Sequence, residues 1–507
     1  MDRREFVRGA ALAGAAAAGG RVALGQAADA AKRPAAGGGV AGAEPVGARK
    51  TFVGVQLDIG RILEQGVDRV LDDLQRLAHV NALFLYTITF MEERVHARTA
   101  GAGPFRGGNF ATVHPQYYKD TLLKPEDTRA PEFPNFDALA TVVPAARKRG
   151  MKTFCWIIED NTLPKVPGMD KLWEVDVHGR PVTRHPGGPC FNNPNYTNYL
   201  LGLVEDSCRS YEVDGIMFGS ERMGPLGSAL GAYHNGARAD PGMACCFCSF
   251  CEAKARRMGI DFARTKLGYL ALETYVRAGR AGKRPVDGYY VAYQRVLEQW
   301  PEVMAWERFW TSAQQETYAA LHAKVKSINA NLQAGWHIWQ NASWNPTYRA
   351  EQDFAAMAPF TDYVKPVLYN NCAGERMISY MASVRQNVYG DMSEAELLAF
   401  EYKVLNYQEA PLEKLAAVGF SADYVYRETK RTVDALAGTQ TLVWPGIDVD
   451  VPTAGGSSKC TPEGVRDAVL AAYKGGAQGV VLSRSYSEMK PENLRGAGVA
   501  LEQLGLA

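Results

Sequence analysis

A chain of 507 residues, 47% hydrophobic and with a formal charge of +1, can bury a large core, either as one big domain or as two. The near-neutral charge excludes bulk electrostatic capture of nucleic acid or of an anionic membrane. Nine cysteines, an odd number with four crowded into CCFCSFC between Cys245 and Cys251, argue against a general disulfide framework and fit metal binding better.

The opening segment, MDRREFVRGAALAGAAAAGG, places Arg3 and Arg4 before Phe6 and a short Ala/Gly-rich stretch. That is the layout of a twin-arginine (Tat) export signal, too short and too weakly apolar for a stable membrane span. Residues 1–27 are therefore expected to be a signal peptide, cut near Gly25, Gln26 and Ala27. The unpatterned Ala/Gly/Pro-rich run 28–49 is expected to be a flexible linker. Residues 50–507 are expected to form a single domain, exported by the Tat machinery to the periplasm or the cell exterior.

Short apolar runs then recur, each followed by helical periodicity. They are TFVGVQLD from Thr51, NALFLYTITF from Asn81, MKTFCWIIED from Met151, VDGIMFGSE from Val213, LQAGWHIWQ from Leu332, DYVKPVLYN from Asp362, TLVWPGIDVD from Thr441 and GVVLSRSY from Gly479. Apolar at successive rather than alternate positions, they fit parallel strands covered on both faces. Eight such units predict a (β/α)8 TIM barrel. Helices such as FDALATVVPAARKRG and PEGVRDAVLAAYKGG end at Gly150 and Gly475, where C-terminal caps are wanted. Long intervals after strands two, four and six predict elaborated βα loops, above all a helical insertion after strand four.

In such a barrel the residues following each strand converge on one mouth. The expected contacts to a polyhydroxylated ligand are Asp58, Glu159, Asn161, Arg222, His337, Trp339, Tyr369, Asn370, Trp444, Arg484, Tyr486 and Glu488. Carboxylates and amides bind hydroxyl groups, and aromatic faces stack on the C–H surfaces of sugar rings. No phosphate loop or dinucleotide fingerprint accompanies them. Glycoside hydrolysis needs two carboxyl groups across the scissile bond. Glu221, at the tip of strand four, is the expected general acid/base, with Arg222 also able to pair with it. Asp448 and Asp450 at the tip of strand seven are the candidates for its partner, while Asp214, within strand four, is expected to be a buried structural group holding backbone or a neighbouring arginine.

The segment PCFNNPNYTNYLLGLVEDSCRSYEVDGIMFGSERMG, followed by CFCSFCEAKARRMG, resembles the (β/α)8 glycoside hydrolases of the clan that includes the family-42 β-galactosidases, and most of all uncharacterised glycosyl-hydrolase-like barrels of bacteria. The resemblance covers about sixty residues well and the rest at barrel level. It implies that Glu221 is the acid/base residue and that Cys190, Cys246, Cys248 and Cys251 hold a structural zinc ion, with Cys245 and Cys208 as alternative fourth ligands. No organic cofactor is implied. Reduced buried cysteines, or a disulfide between Cys190 and one cluster member, are the other readings of the same residues.

Two departures accompany the resemblance. Ser220 stands where the clan has Asn, and strand seven has no glutamate, leaving Asp448, Glu375, Glu488 or an inverting mechanism to supply the second carboxylate. Beside an exported glycoside hydrolase, two further readings are carried forward: a carbohydrate-binding barrel without turnover, and a metal-dependent sugar isomerase or lyase using His337, Glu159, Asp160 and Glu488. His178 and His185 are left equally as pocket or loop residues.

Overall fold

The computed structural model describes residues 51–89, 107–124, 129–131, 133–159, 168–183, 187–453 and 458–507. The expected signal peptide and linker, Asp160, Asn161 and His185 lie outside these residues. No described helix is long and apolar enough to cross a membrane.

Eight parallel strands close into a ring. They are β1 (Phe52–Leu57), β2 (Ala82–Tyr86), β3 (Lys152–Ile158), β4 (Gly215–Gly219), β5 (Gln333–Ile338), β6 (Tyr363–Leu368), β7 (Leu442–Val443, continued by Gly446–Asp448) and β8 (Gly479–Ser483). β8 pairs with β1 through Val53 and Val480, and the second half of β7 pairs with both β6 and β8, so the ring has no open edge. The strands are buried almost throughout, as runs of successive apolar residues require.

Seven helices stand behind the strands: α1 (Val67–Ala78), α2 (Ala138–Lys148), α3 (Pro194–Ser210), α4 (Glu302–Ile328), α6 (Ala422–Ala435), α7 (Pro462–Lys474) and α8 (Pro491–Gln503). A further helix, α5 (Asn370–Val384), begins directly at the tip of β6, inside the long β6–β7 connection. Behind β5 the chain makes only the short helices Pro346–Glu351 and Phe354–Met357. The long β4–α4 connection is the predicted helical insertion, with Phe262–Arg280 its longest helix. Helix starts follow capping chemistry. The carboxylate of Asp137 accepts from Ala140 N at 2.9 Å, and Thr461 Oγ1 accepts from Gly464 N at 3.1 Å. At the end of α7 the left-handed residue is Gly476 (φ 95°), not the expected Gly475 (φ −72°).

The barrel floor is an aromatic plug of Phe52, Phe84, Phe154, Tyr363 and Trp444. Trp444 stacks on Phe52 with centroids 3.6 Å apart and on Tyr363 at 4.1 Å. Glycine makes room for it: a Cβ on Gly335 would lie 2.2 Å from the Tyr363 ring. Trp444, expected at the mouth, is thus a core residue. Pro445 interrupts β7 after Val443, so Trp444 belongs to the lower half of that strand and its ring fills the interior.

Candidate active site at the barrel mouth

β4 ends at Gly219, where a Cβ would lie 2.7 Å from the Trp156 ring and 3.0 Å from His337 Cβ. Only glycine lets the strand pass between those two rings and deliver Ser220, Glu221 and Arg222 at the mouth. The two charged neighbours then part. Glu221 stays 29% exposed and receives His337 Nε2 at 2.9 Å. Arg222 is buried to 1% and turns into a separate ionic cluster.

That cluster answers why a guanidinium stands beside the candidate carboxylate. Arg222 meets Glu159 through two bonds, Nε to Oε2 and Nη2 to Oε1, each 3.0 Å, and Glu174 through Nη1 at 3.0 Å. Its plane lies over Phe191, 4.2 Å from the ring centre. Tyr196 donates to Glu159, and Trp310 Nε1 donates to Glu174 at 2.7 Å. Burial drives the Glu174 carboxyl up despite the Arg222 charge that pulls it down. Arg222 and Glu159, expected to contact ligand and with Arg222 able to pair with Glu221, are instead a sealed structural network.

Several other rim residues are likewise committed to the frame. Asp58 is fully buried, holding Ser485 Oγ at 2.6 Å and the N–H groups of Ser487 and Gly60, which ties the tip of β1 to that of β8. Asp450 accepts from Asn493 Nδ2 at 2.8 Å and Lys490 N at 2.9 Å, an anchor for α8 rather than a catalytic group. Arg484 and Glu488 pair with each other, so Glu488 is not a ready second carboxylate. Asp214 accepts from Thr153 N at 2.8 Å, the backbone role expected of it, and His178 pairs with Glu273 at 2.7 Å. Tyr486 is nearly buried, in the outer core.

A cavity of about 460 Å³ opens at this mouth, lined by His234, Asn235, Cys372, Glu375, Arg376, Ser379, Pro452 and Thr453. Its walls come from the β4 and β7 connections and from the first turns of α5. Trp339 backs it, its ring 5.8 Å from that of His234. Arg376 donates to Gln340, and Glu375 pairs with Lys459. Asn370, at the start of α5, is buried and donates to Phe420 O at 3.4 Å.

Glu375 is the one carboxylate among these lining residues; Glu221 and Asp448, at the tips of β4 and β7, lie behind the lining, each within the field of Arg376, and sit in opposite surroundings. Burial pushes the Glu221 carboxyl up, but the hydrogen bond and charge of His337, with the charges of Arg376 and His234, outweigh it and hold the group at about 2. Asp448, at the tip of β7, is raised by burial to about 6, with Arg376 and the bonds from Val451 and Cys460 only partly opposing. Its Oδ1 accepts from Val451 N at 3.0 Å and Cys460 Sγ at 3.3 Å, and the backbone N–H of Cys372 at the start of α5 also favours the ionised form.

Beneath Glu221 lies a polar layer that the sequence reading missed. Lys365, in the middle of β6 and fully buried, reaches Gln56 Oε1 at 3.0 Å, Tyr369 Oη at 3.1 Å and His337 Nδ1 at 3.4 Å. The available signal was a lysine inside the apolar run DYVKPVLYN, and Arg376 was equally legible one turn into a helix that starts at a strand tip.

Cys190, Cys246, Cys248 and Cys251 bring their sulfurs within 4.8 Å of one another. Two sulfur–sulfur separations, 3.4 Å for Cys190–Cys251 and 3.6 Å for Cys190–Cys248, approach the roughly 3.8 Å edge of a tetrahedron with 2.3 Å metal–sulfur bonds. Val175 N and Asn192 Nδ2 donate to Cys246 and Cys251 at 3.4 and 3.3 Å, the outer bonds a thiolate site uses. None of the four forms a disulfide. Cys245 turns away to Glu174, 3.3 Å distant, and Cys208 lies outside the group. The cluster can hold a metal ion with no open position, beside the Arg222 network and away from the cavity.

No family model matches the chain, and no curated protein matches it. Among solved structures, similar folds include a β-galactosidase from the psychrophilic Marinomonas ef1, at 12% identity over 90% of this chain and 61% of that one, TM-score 0.49. The PgaB (BpsB) glycoside hydrolase domain from Bordetella bronchiseptica gives 13% identity over 90% and 98%, TM-score 0.47. The α-L-fucosidase isoenzyme 2 from Paenibacillus thiaminolyticus gives 13% over 90% and 49%, TM-score 0.45. The chain thus spans about half the length of the fucosidase. The neighbours are glycoside hydrolases on TIM barrels; this chain's own strand closure is what assigns its fold.

Proposed function

We propose that the protein is an exported glycoside hydrolase that cleaves an oligosaccharide or glycoside at the barrel mouth with Glu221 and Asp448, the adjoining 460 Å³ cavity holding part of the sugar. One observation carries the reading: two carboxyl groups, at the tips of β4 and β7, have surroundings that drive their pKa values apart, to about 2 and about 6. Glu221, ionised, takes the nucleophile or base half of the chemistry. Asp448 keeps its proton and serves as the acid, the reverse of the order in which the resemblance casts strand four as donor. Arg376, His234, Asn235, Ser379 and Thr453 supply the polar contacts for sugar hydroxyls.

The pH dependence tests the assignment. Activity needs Glu221 deprotonated and Asp448 protonated, so kcat/KM is expected to be level between about 2 and about 6 and to fall tenfold per pH unit above about 6. Asp448→Asn is expected to remove that alkaline limb along with most of the rate on a panel of aryl and natural glycosides. An optimum at pH 8 contradicts these roles.

The burial of Asp448 to 1% favours one second reading, a carbohydrate-binding barrel without turnover. Sugar binding by the wild type with no hydrolysis of any glycoside in the panel selects it. The metal-dependent isomerase reading has less support, because Glu159 is locked to Arg222 and Glu488 to Arg484.

The metal of the cysteine cluster is, in this proposal, one structural zinc ion. Cys248→Ser is expected to lose the zinc equivalent and several degrees of Tm while changing kcat by less than about threefold. Loss of zinc with unchanged thermal stability removes the structural role.

A further inference from the structure

Of the residues lining the cavity, Glu375 and Arg376 carry the fixed charges, and the fold treats them differently. Glu375 is paired with Lys459. Arg376, half-buried in the second turn of α5, makes no ion pair among the described residues. Its one hydrogen bond there runs from Nη1 to Gln340 Oε1, and its Cζ lies 6.0 Å from the centre of the Tyr369 ring. Gln340 is fixed in turn, its Nε2 donating to Tyr369 O at 2.8 Å, so the amide presents its oxygen to the guanidinium. An amide oxygen and an aromatic ring orient that group without neutralising it. The other guanidinium groups at the strand tips, Arg222 and Arg484, are each matched to glutamate. Glu221 and Asp448 feel the charge of Arg376 but take their hydrogen bonds elsewhere, from His337 Nε2 and from Val451 N and Cys460 Sγ. Nε and Nη2 of Arg376 are thus donors held at the cavity wall without a described acceptor.

We propose that the cavity selects an acidic sugar: Arg376 receives a carboxylate or sulfate substituent of the ligand and sets a preference for anionic over neutral glycosides. The proposal rests on the reading of the barrel mouth as a glycosidase site and names the class of substrate that site takes. The planar fork of a guanidinium matches the paired oxygens of either anion. Charge-assisted bonds of that kind are about twice as strong as those to a neutral hydroxyl group, so a hydroxyl alone would leave most of what Arg376 offers unused. The neighbouring carboxylates each have a partner against them, Glu375 with Lys459 and Glu221 with His337, and the incoming anion meets Arg376 as the uncompensated charge of the lining. Asn235, Ser379 and Thr453 remain for the hydroxyl groups of the same sugar.

The test is equilibrium binding of matched probes: methyl hexuronides, O-sulfated methyl hexosides and neutral methyl hexosides of the gluco, galacto and manno series. At low salt at least one acidic probe is expected to bind the wild type about tenfold or more tightly than its neutral counterpart, the uronide and sulfate arms telling which anion the site takes. Raising NaCl from about 50 mM to about 0.5 M is expected to narrow that ratio, because a half-exposed ion pair is screened. In Arg376→Gln the ratio is expected to fall to within about threefold, and Arg376→Lys, which keeps the charge but loses the fork, is expected to lie between the two. The salt series on the wild type carries the test if Arg376→Gln does not fold. Binding of no acidic probe in preference to its neutral counterpart, or a preference that survives Arg376→Gln, overturns the proposal. An Arg376-dependent preference without hydrolysis of any aryl uronide or aryl sulfated hexoside leaves the proposal standing and overturns only the hydrolase reading.

Discussion

Glu221→Gln is expected to lower glycoside turnover by about 10³-fold or more while sugar binding stays within a few fold of wild type. The substitution is conservative in shape. The amide oxygen still accepts from His337 Nε2, as the carboxylate does at 2.9 Å, so the ring and the strand tip are expected to hold their places. What is lost is the negative charge, and with it both the nucleophile and the base. The observable is kcat/KM on the wild type's best substrate, alongside a binding isotherm for the same sugar. Turnover within tenfold of wild type would remove Glu221 from the chemistry. Asp448→Asn provides the complementary measurement, because it is expected to abolish the alkaline limb near pH 6, whereas Glu221→Gln is not.

The largest effect on stability is expected at the neighbouring position. Arg222→Leu leaves Glu159 and Glu174, both buried to about 3% or less, facing each other without the cation that bridged them. Breaking a buried ionic cluster at one member costs about 3–5 kcal/mol, because the remaining charges stay desolvated. The sign of the pH dependence follows. With the guanidinium gone, burial acts on the Glu174 carboxyl without the charge that opposed it, so the folded variant binds that proton more tightly than its unfolded chain. Its stability deficit is therefore expected to be greatest at neutral pH and to shrink as pH falls into the carboxylate range. Denaturant melts of wild type and variant at pH 7 and pH 4.5 read this out. Equal stability at pH 7 would show that the network does not carry load.

Adjacent residues thus have unrelated duties, and this is where sequence reading reached its limit. Glu221 and Arg222 differ by one position at a strand tip, and nothing in GSERMG says that one enters the mouth and the other a sealed cluster. That outcome depends on Glu159, 63 residues earlier, and Glu174, 48 residues earlier. The same holds for Asp448 and Asp450, which look interchangeable in IDVDVP. Asn493 on α8 takes the second, and Val451 N and Cys460 Sγ hold the first. The aromatic residues divided in the same way, Trp444 going to the barrel floor and Trp339 behind the cavity.

The sequence by itself determined the architecture. Eight apolar runs with successive buried positions admit only a parallel, covered sheet, and their spacing admits closure. That is a property of local pattern, set by backbone periodicity. The four cysteines were named together through the family resemblance, with Cys245 and Cys208 as alternatives, and it is the fold that brings the sulfurs of Cys190, Cys246, Cys248 and Cys251 within 4.8 Å of one another. The roles of individual rim residues were decided only by the tertiary structure. A carboxylate becomes an anchor, an ion-pair partner or a reactive group according to which distant donors and charges surround it. Lys365 shows this most plainly: a residue of an apolar strand, it lies buried among Gln56, His337 and Tyr369, brought to it from β1, β5 and the tip of its own strand.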